Sequence, residues 1–178
     1  GSLYMEHIQG VSSPKVAMVN IGTEENKGRE LQIEASSLLK KAPVDFIGNI
    51  EARDLPLGGC DVAVTDGFTG NVILKLTEGM GAMLMSELKG IFMEGFSSKL
   101  AALLLKSGLG EFKARMDYTE YGGALLLGVQ KPVVKAHGSS NAKAFKNAIR
   151  QANTMAKEDV IGQMEQALVN VAPPSTQE

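Results

Sequence analysis

The sequence predicts an α/β fold: a parallel sheet with a mixed edge, helices on its faces and a protruding helical hairpin. Three features predict it. Short apolar runs alternate with stretches of helical spacing, which is the order of a parallel sheet with crossovers. Polar, glycine-bearing corners follow three of those runs, at residues 22–28, 66–71 and 137–141. A long, methionine-rich helical stretch then breaks the alternation. A chain of 178 residues can bury one good core, so it reads as one domain over 1–172, with the hairpin at 71–116 and a disordered tail at 173–178.

The chain opens inside an amphipathic helical pattern at Leu3 to Ile8, and Gly1-Ser2 is either native or a fusion scar. KVAMVNI, Lys15 to Ile21, follows Pro14 and reads as a buried parallel strand. Gly22 to Gly28 is a polar turn. Arg29 to Lys41 has helical spacing through Leu31, Ile33, Ala35, Leu38 and Leu39, and Pro43 ends it. Val44 to Ile50 is the next strand, Glu51 to Gly58 a charged loop, and Cys60 to Thr65 a third apolar strand. The Asp66-Gly67-Phe68-Thr69-Gly70-Asn71 turn then leads into a helix ending near Phe96.

That helix sets Met80, Met83, Met85 and Met93 among Leu76, Leu84, Leu88, Ile91 and Phe92, on more than one face. A monomer of this size rarely covers so much apolar surface, so a second subunit is expected against it. Ser97 to Gly110 holds two lysines, no acid and a cluster of leucines at the end of the hairpin. It is either a packed helix or a tip that dips into an anionic membrane surface, with Lys99 and Lys106 facing the headgroups. Met116 to Gly123 is a polar turn. Ala124 to Val129 and Val133 to Ala136 are short strands around Lys131-Pro132, and His137 to Asn141 is a second strand-to-helix turn. The last helix, from about Asn141 to Val169, carries Ala144, Phe145, Ala148, Ile149, Ala152, Met155 and Ala156 at helical spacing.

Composition narrows the function. A net charge of −2 supplies no basic field for nucleic acid, and three Tyr, six Phe and no Trp offer few stacking surfaces. One Cys forbids an internal disulfide framework, and two His with it make no zinc ligand set, so no metal is expected. No apolar run is long enough to span a bilayer and no signal peptide opens the chain, which makes a cytoplasmic location the expectation. Cys60, inside an apolar strand, reads as core and not as a nucleophile.

Ligands of open α/β sheets bind beyond the carboxyl ends of strands, and all three corners sit there. Their side chains suit an anion: Lys27, Thr69, Asn71, His137, Ser139 and Ser140. Gly67 and Gly70 can take positive φ and let a ligand reach the backbone, and the amides of Thr69, Gly70 and Asn71 fall where a new helix presents unpaired donors. Each residue also has a plain structural role. Lys27 can balance Glu24 and Glu25, although a cation at a helix start opposes the dipole. Asn71 can cap its helix. Asp66 is either a turn-former or a group that orients Lys27 or its loop. His137 is either a hydrogen-bonded structural residue or a supporting site residue.

Three stretches are more specific. NIGTEENKG (Asn20 to Gly28), FIGNIEARDLP (Phe46 to Pro56) and DGFTGNVILK (Asp66 to Lys75) resemble, in order, the C-terminal half of the bacterial phosphate acyltransferase family. These are the acyl-acyl-carrier-protein:phosphate acyltransferases of phospholipid synthesis, and the resemblance covers nearly the whole chain. It implies a Rossmann-like fold similar to isopropylmalate dehydrogenase and phosphotransacetylase. It implies transfer of a fatty acyl group from acyl carrier protein to inorganic phosphate, giving acyl phosphate, with no cofactor. It assigns Lys27 to phosphate and the developing oxyanion; beside it, Asn71 is read as the second catalytic residue, and Asp66, Gly67, Thr69, Gly70, His137, Gly138 and Ser139 of the other corners as the phosphate and substrate set. It further implies a homodimer through the hairpin and a peripheral membrane tip at Leu100, Ala101, Leu103 and Leu104. Full-length relatives carry a further α/β segment before this point, so the chain reads as a fragment with little or no activity alone.

Phosphate is already an oxyanion nucleophile at neutral pH, and a thiol with a pKa of about 8.5 is a good leaving group. Positioning and charge stabilisation are then what the protein supplies. The acidic carrier protein is expected to meet Lys89, Lys99, Lys106, Lys113 and Arg115, each of which could equally be part of a solvated face. Two competing readings are a phosphotransacetylase-like enzyme acting on coenzyme A thioesters and a non-catalytic dimerising or membrane-binding half. A dinucleotide enzyme is disfavoured by the lack of a G-x-G-x-x-G turn.

Overall fold

Strand β1 (Lys15–Asn20) is the centre of the architecture, because its four middle residues are all apolar and all buried. It can be buried on both faces only if strands flank it and other elements cover it. The computed structural model, which describes residues 1–115, 122–138 and 140–169, places β2 (Asp45–Glu51) and β3 (Val62–Val64) on either side, both parallel to β1, in the order β2-β1-β3. Val16, Ala17, Met18 and Val19 form the core with Ile50 of β2. The β1–β2 register slips between Val16 and Ala17, where Ile47 is passed over and Gly48 takes a φ of 97°. This is a bulge, a place where glycine is favoured.

Helix α1 (Ser2–His7) precedes the sheet, and its Tyr4 hydroxyl accepts hydrogen bonds from Gln9 and Gln151. Helix α2 (Glu30–Leu39) makes the crossover from β1 to β2. Its first turn is steadied by Gln32, whose side chain accepts the Arg29 amide at 3.1 Å. The apolar face expected for it is only partly used. Leu31, Ile33 and Leu38 are exposed, and the residue it buries is Ser36. The expected charged loop after β2 is instead a short 3-10 helix (Ala52–Leu57), opened by Asp54 accepting the Glu51 amide and closed by Gly58 at a φ of 77°. Cys60 lies just before β3, not within it, because the strand is three residues long.

Contacts group the chain into two compact units, one of residues 1–66, 125–134 and 150–178, the other of residues 67–124 and 135–149. The second is built on α3 (Gly67–Met93), α4 (Phe96–Leu104) and α5 (Lys106–Arg115). Apolar as it is, α3 buries none of its residues in this chain. Strands β4 (Ala124–Leu126) and β5 (Val133–Lys135) pair with each other as a separate two-stranded sheet and do not extend the edge of the first. The final helix is two helices, α6 (Ala142–Lys157) and α7 (Val160–Val169), because Asp159 adopts a φ of 48° between them. Along α6 the small residues Ala144 and Ala148 are buried while Phe145 and Ile149 are exposed; Met155 and Val160, further on, are fully buried. Most of the expected polar turn at 116–123, the tail at 173–178 and the side chains of Lys113 and Arg115 lie outside the described residues.

Candidate functional site

Two groups of predicted site residues are built in different ways, one in each unit. In the first unit, β1 and β3 run parallel with Met18 opposite Val64. Asn20 and Asp66, each two residues further on, therefore leave the sheet at the same edge. The loop carrying Lys27 starts from Asn20. Asn20 grips its own loop, its amide oxygen accepting the Ile21 N–H at 2.8 Å and its amide nitrogen donating to the Lys27 carbonyl at 2.9 Å. Gly28 completes the corner at a φ of 94°, and a Cβ there would lie 2.7 Å from the Asn20 Oδ1. Glycine is required by both conformation and space.

The same loop is tied at two more points. The Glu24 carbonyl accepts the Lys27 N–H at 3.2 Å and the Asn49 side-chain amide at 2.8 Å. Lys40, just past α2, pairs with Glu25 at 2.7 Å, and its hydrogen bond and charge hold the Glu25 carboxyl below the ordinary glutamate range. By contrast, among the described residues the Lys27 ammonium meets only Glu24, at 3.9 Å, with both side chains well exposed. Such a pair holds a lysine weakly. The backbone of Lys27 is fixed, and its head can turn to an anion.

The corner at 66–71, which past Asp66 belongs to the second unit, is not a turn. Residues 67–71 are already helical, and neither Gly67 nor Gly70 has positive φ. The amides that lack a helical carbonyl are therefore the earlier ones, including those of Gly67 and Phe68, and not that of Asn71. Asn71 is the fifth residue of α3, so it does not cap the helix; Asp66 occupies the position before it, where aspartate is favoured. Asn71 is exposed and lies one turn before Lys75 on the same face. Lys75 Nζ meets Glu78 Oε2 at 2.6 Å and His137 Nε2 at 3.2 Å. An ammonium only donates, so Nε2 accepts and the ring proton sits on Nδ1. This contact brings the face of α3 that bears Asn71 to the 137–141 corner. There the Ser140 amide donates to the His137 carbonyl, Asn141 caps α6 by accepting the Ala144 N–H, and the Ser140 hydroxyl is buried without a partner among the described residues. Gly138 is exposed in that corner, and Ser139 lies outside the described residues.

Lys75, Asn20, Asn49 and Ser36 were not legible as site residues. Three of them, Asn20, Asn49 and Lys75, stand inside the stretches that carry the resemblance, but only the fold turns Asn20 and Asn49 toward one loop. Burial, aided by the charge of Asp61, pushes the Cys60 thiol up, which disfavours a thiolate nucleophile. No group of three acidic, histidine or cysteine side chains among the described residues could hold a metal. On α4, Leu100, Leu103 and Leu104 are exposed at one-turn spacing. No helix of the described residues is long and apolar enough to cross a membrane.

Residues 1–163 match the model of a family described as "Fatty acid synthesis protein". Among curated relatives, the chain is 54% identical over 161 residues to a phosphate acyltransferase of Lysinibacillus sphaericus, covering 90% of this chain and 49% of the relative. It is 57% identical over 152 residues to one from Alkaliphilus oremlandii, covering 85% of this chain and 45% of the relative. It is 51% identical over 168 residues to one from Brevibacillus brevis, covering 94% and 50%. The chain thus spans about half the length of the relatives it matches.

Proposed function

The chain belongs to the fatty acid synthesis protein family, and from that premise we propose that it forms half of a phosphate acyltransferase. In this reading a phosphate oxygen attacks the carbonyl carbon of a fatty acyl thioester on acyl carrier protein. The C–O bond forms, the C–S bond breaks, the carrier thiolate leaves and takes a proton, and acyl phosphate is released for phospholipid synthesis. No oxidant or metal is required to balance the step. The family resemblance assigns Lys27 as the ammonium for phosphate and the developing oxyanion, and Asn71 is read as a carboxamide donor in the reaction. Phosphate also uses the start of α3 and the His137 corner, where a helix N-terminus favours negative charge. Asp66 orients the edge of the sheet to which the Lys27 loop belongs.

The observation that carries this reading is the contrast within the Lys27 loop. Asn20 of β1 and Asn49 of β2 hold its backbone carbonyls, and Lys40, just past α2, pairs with its Glu25 side chain, yet among the described residues the ammonium has only a weak exposed partner. Preorganised backbone with an uncommitted cation is what electrostatic stabilisation of a developing oxyanion needs. The exposed apolar residues of α3 and α4 support the further proposals of a homodimer through the hairpin and a peripheral membrane contact at Leu100, Leu103 and Leu104. The acyl carrier protein is the proposed acyl donor.

The test uses the enzyme at the full length of its relatives. Lys27→Ala and Asn71→Ala should each lower phosphate-dependent acyl transfer by about 100-fold or more, the scale of losing one oxyanion donor. Circular dichroism and melting temperature should stay close to wild type. Turnover retained in both variants refutes the assignment.

A further inference from the structure

We infer that Asn49 is a positioning residue for Lys27, and that Ser36 sets the direction in which Asn49 acts. This rests on the proposal that Lys27 carries the anion. The residues come from three elements: Lys27 from the loop after β1, Asn49 from β2 and Ser36 from α2. The Asn49 Nδ2 donates to the Glu24 carbonyl at 2.8 Å, and its Oδ1 accepts the Ser36 hydroxyl at 3.2 Å. The Glu24 carbonyl also receives the Lys27 amide, so Asn49 grips the oxygen that forms the Lys27 turn.

The direction of the amide is chemically determined. A carbonyl oxygen can only accept, so the Asn49 NH2 must face Glu24 and its oxygen must face α2. A hydroxyl donor at that second point holds the amide in this sense. Ser36 is the buried residue of α2, and a buried hydroxyl in contact with one amide has that bond to make. The need for such a key follows from the surroundings. Asn49 and Ser36 line an open cleft of about 490 Å3 that also holds Thr23, Glu25 and Lys40, so water can compete for an amide left free to turn.

Asn49→Asp is the sharpest probe, because it sets a carboxylate oxygen against the Glu24 carbonyl while leaving the Ser36 contact possible. In the full-length enzyme it should cut kcat/KM for phosphate by tenfold or more, with the melting temperature within a few degrees of wild type. Hydrogen exchange at residues 22–28 should accelerate in the same variant. Ser36→Ala should do the same more weakly, while Ser36→Thr, which keeps the hydroxyl, should recover most of the loss. In a Lys27→Ala background, Asn49→Asp should cost almost nothing more in turnover, since its effect runs through the lysine. Full additivity of the two losses overturns the inference, as does wild-type exchange of the loop in Asn49→Asp. Retained turnover in Lys27→Ala alone would instead sink the functional reading, and loop exchange in Asn49→Asp still decides whether Asn49 holds the loop.

Discussion

The corners at residues 22–28 and 66–71 have similar contents: two glycines each, acidic side chains, and side chains assigned to the anion. They obey different physics. At the first, Gly28 has a φ of 94° and its missing Cβ leaves room for the Asn20 amide. At the second, Gly67 is helical and a Cβ added to it would meet nothing within 4 Å. One corner is made by side chains gripping backbone carbonyls. The other is the first turn of a helix 27 residues long, whose first amides have no helical carbonyl to meet. A glycine can therefore be a steric necessity in one site segment and an option in the other.

Substitution by alanine should separate the two corners, and Gly28 gives the larger effect. Gly28→Ala forces a Cβ residue into a conformation that L side chains rarely adopt and against a hydrogen-bonded amide. We expect a loss of roughly 2–3 kcal/mol in stability, together with loss of phosphate-dependent turnover. Thermal or urea unfolding measures the first and an acyl phosphate assay the second. A stability within about 0.5 kcal/mol of wild type would mean that the loop can re-form around the methyl group.

Gly67→Ala is predicted to go the other way. With no steric conflict and helical backbone, alanine should stabilise α3 by about 0.4–1 kcal/mol, mainly by restricting the unfolded chain. The comparison becomes sharper if activity is measured in the same variant. Stability raised with phosphate affinity unchanged would show that Gly67 is not approached by the ligand. Stability raised with affinity lost would show that the ligand reaches the backbone at the helix start, which is the role its position suggested.

The difference between the corners also marks what the sequence discloses. Strand β1 was legible because an apolar run between Pro14 and a polar turn has few other uses, and the structure gives it four buried residues in succession. Helices α2 and α3 were legible from their spacing, although α3 starts four residues earlier than the glycines led one to expect. Glycine disfavours helix interiors only by about 1 kcal/mol relative to alanine, and a long apolar helix behind it overrides that. The break at Asp159 was not legible, since nothing in the surrounding pattern marks a left-handed residue there. In the first corner, Lys27 was found from a resemblance, but its supports were not. Asn20, Asn49 and Ser36 lie 29 residues apart at most along the chain, yet only the parallel pairing of β1 with β2 and the crossover through α2 puts them around one loop.

The weakest of the three ties predicts the smallest effect and a specific pH window. Glu25 is held below the ordinary glutamate range first by the hydrogen bond from Lys40 and then by its charge. A carboxyl whose pKa is lower when folded adds stability above its unfolded value and loses that contribution as the pH falls through the folded one. Wild type should therefore exceed Glu25→Gln slightly in urea midpoint at neutral pH, and the gap should close as the pH is lowered below the ordinary glutamate range. High salt should narrow the same gap at neutral pH, because the pair is exposed and screened. A gap that stayed constant from neutral to acid pH would show that the Glu25 charge does not help to hold the loop. Asn20 and Asn49, whose amides do not titrate, would then carry the whole of the restraint on Lys27.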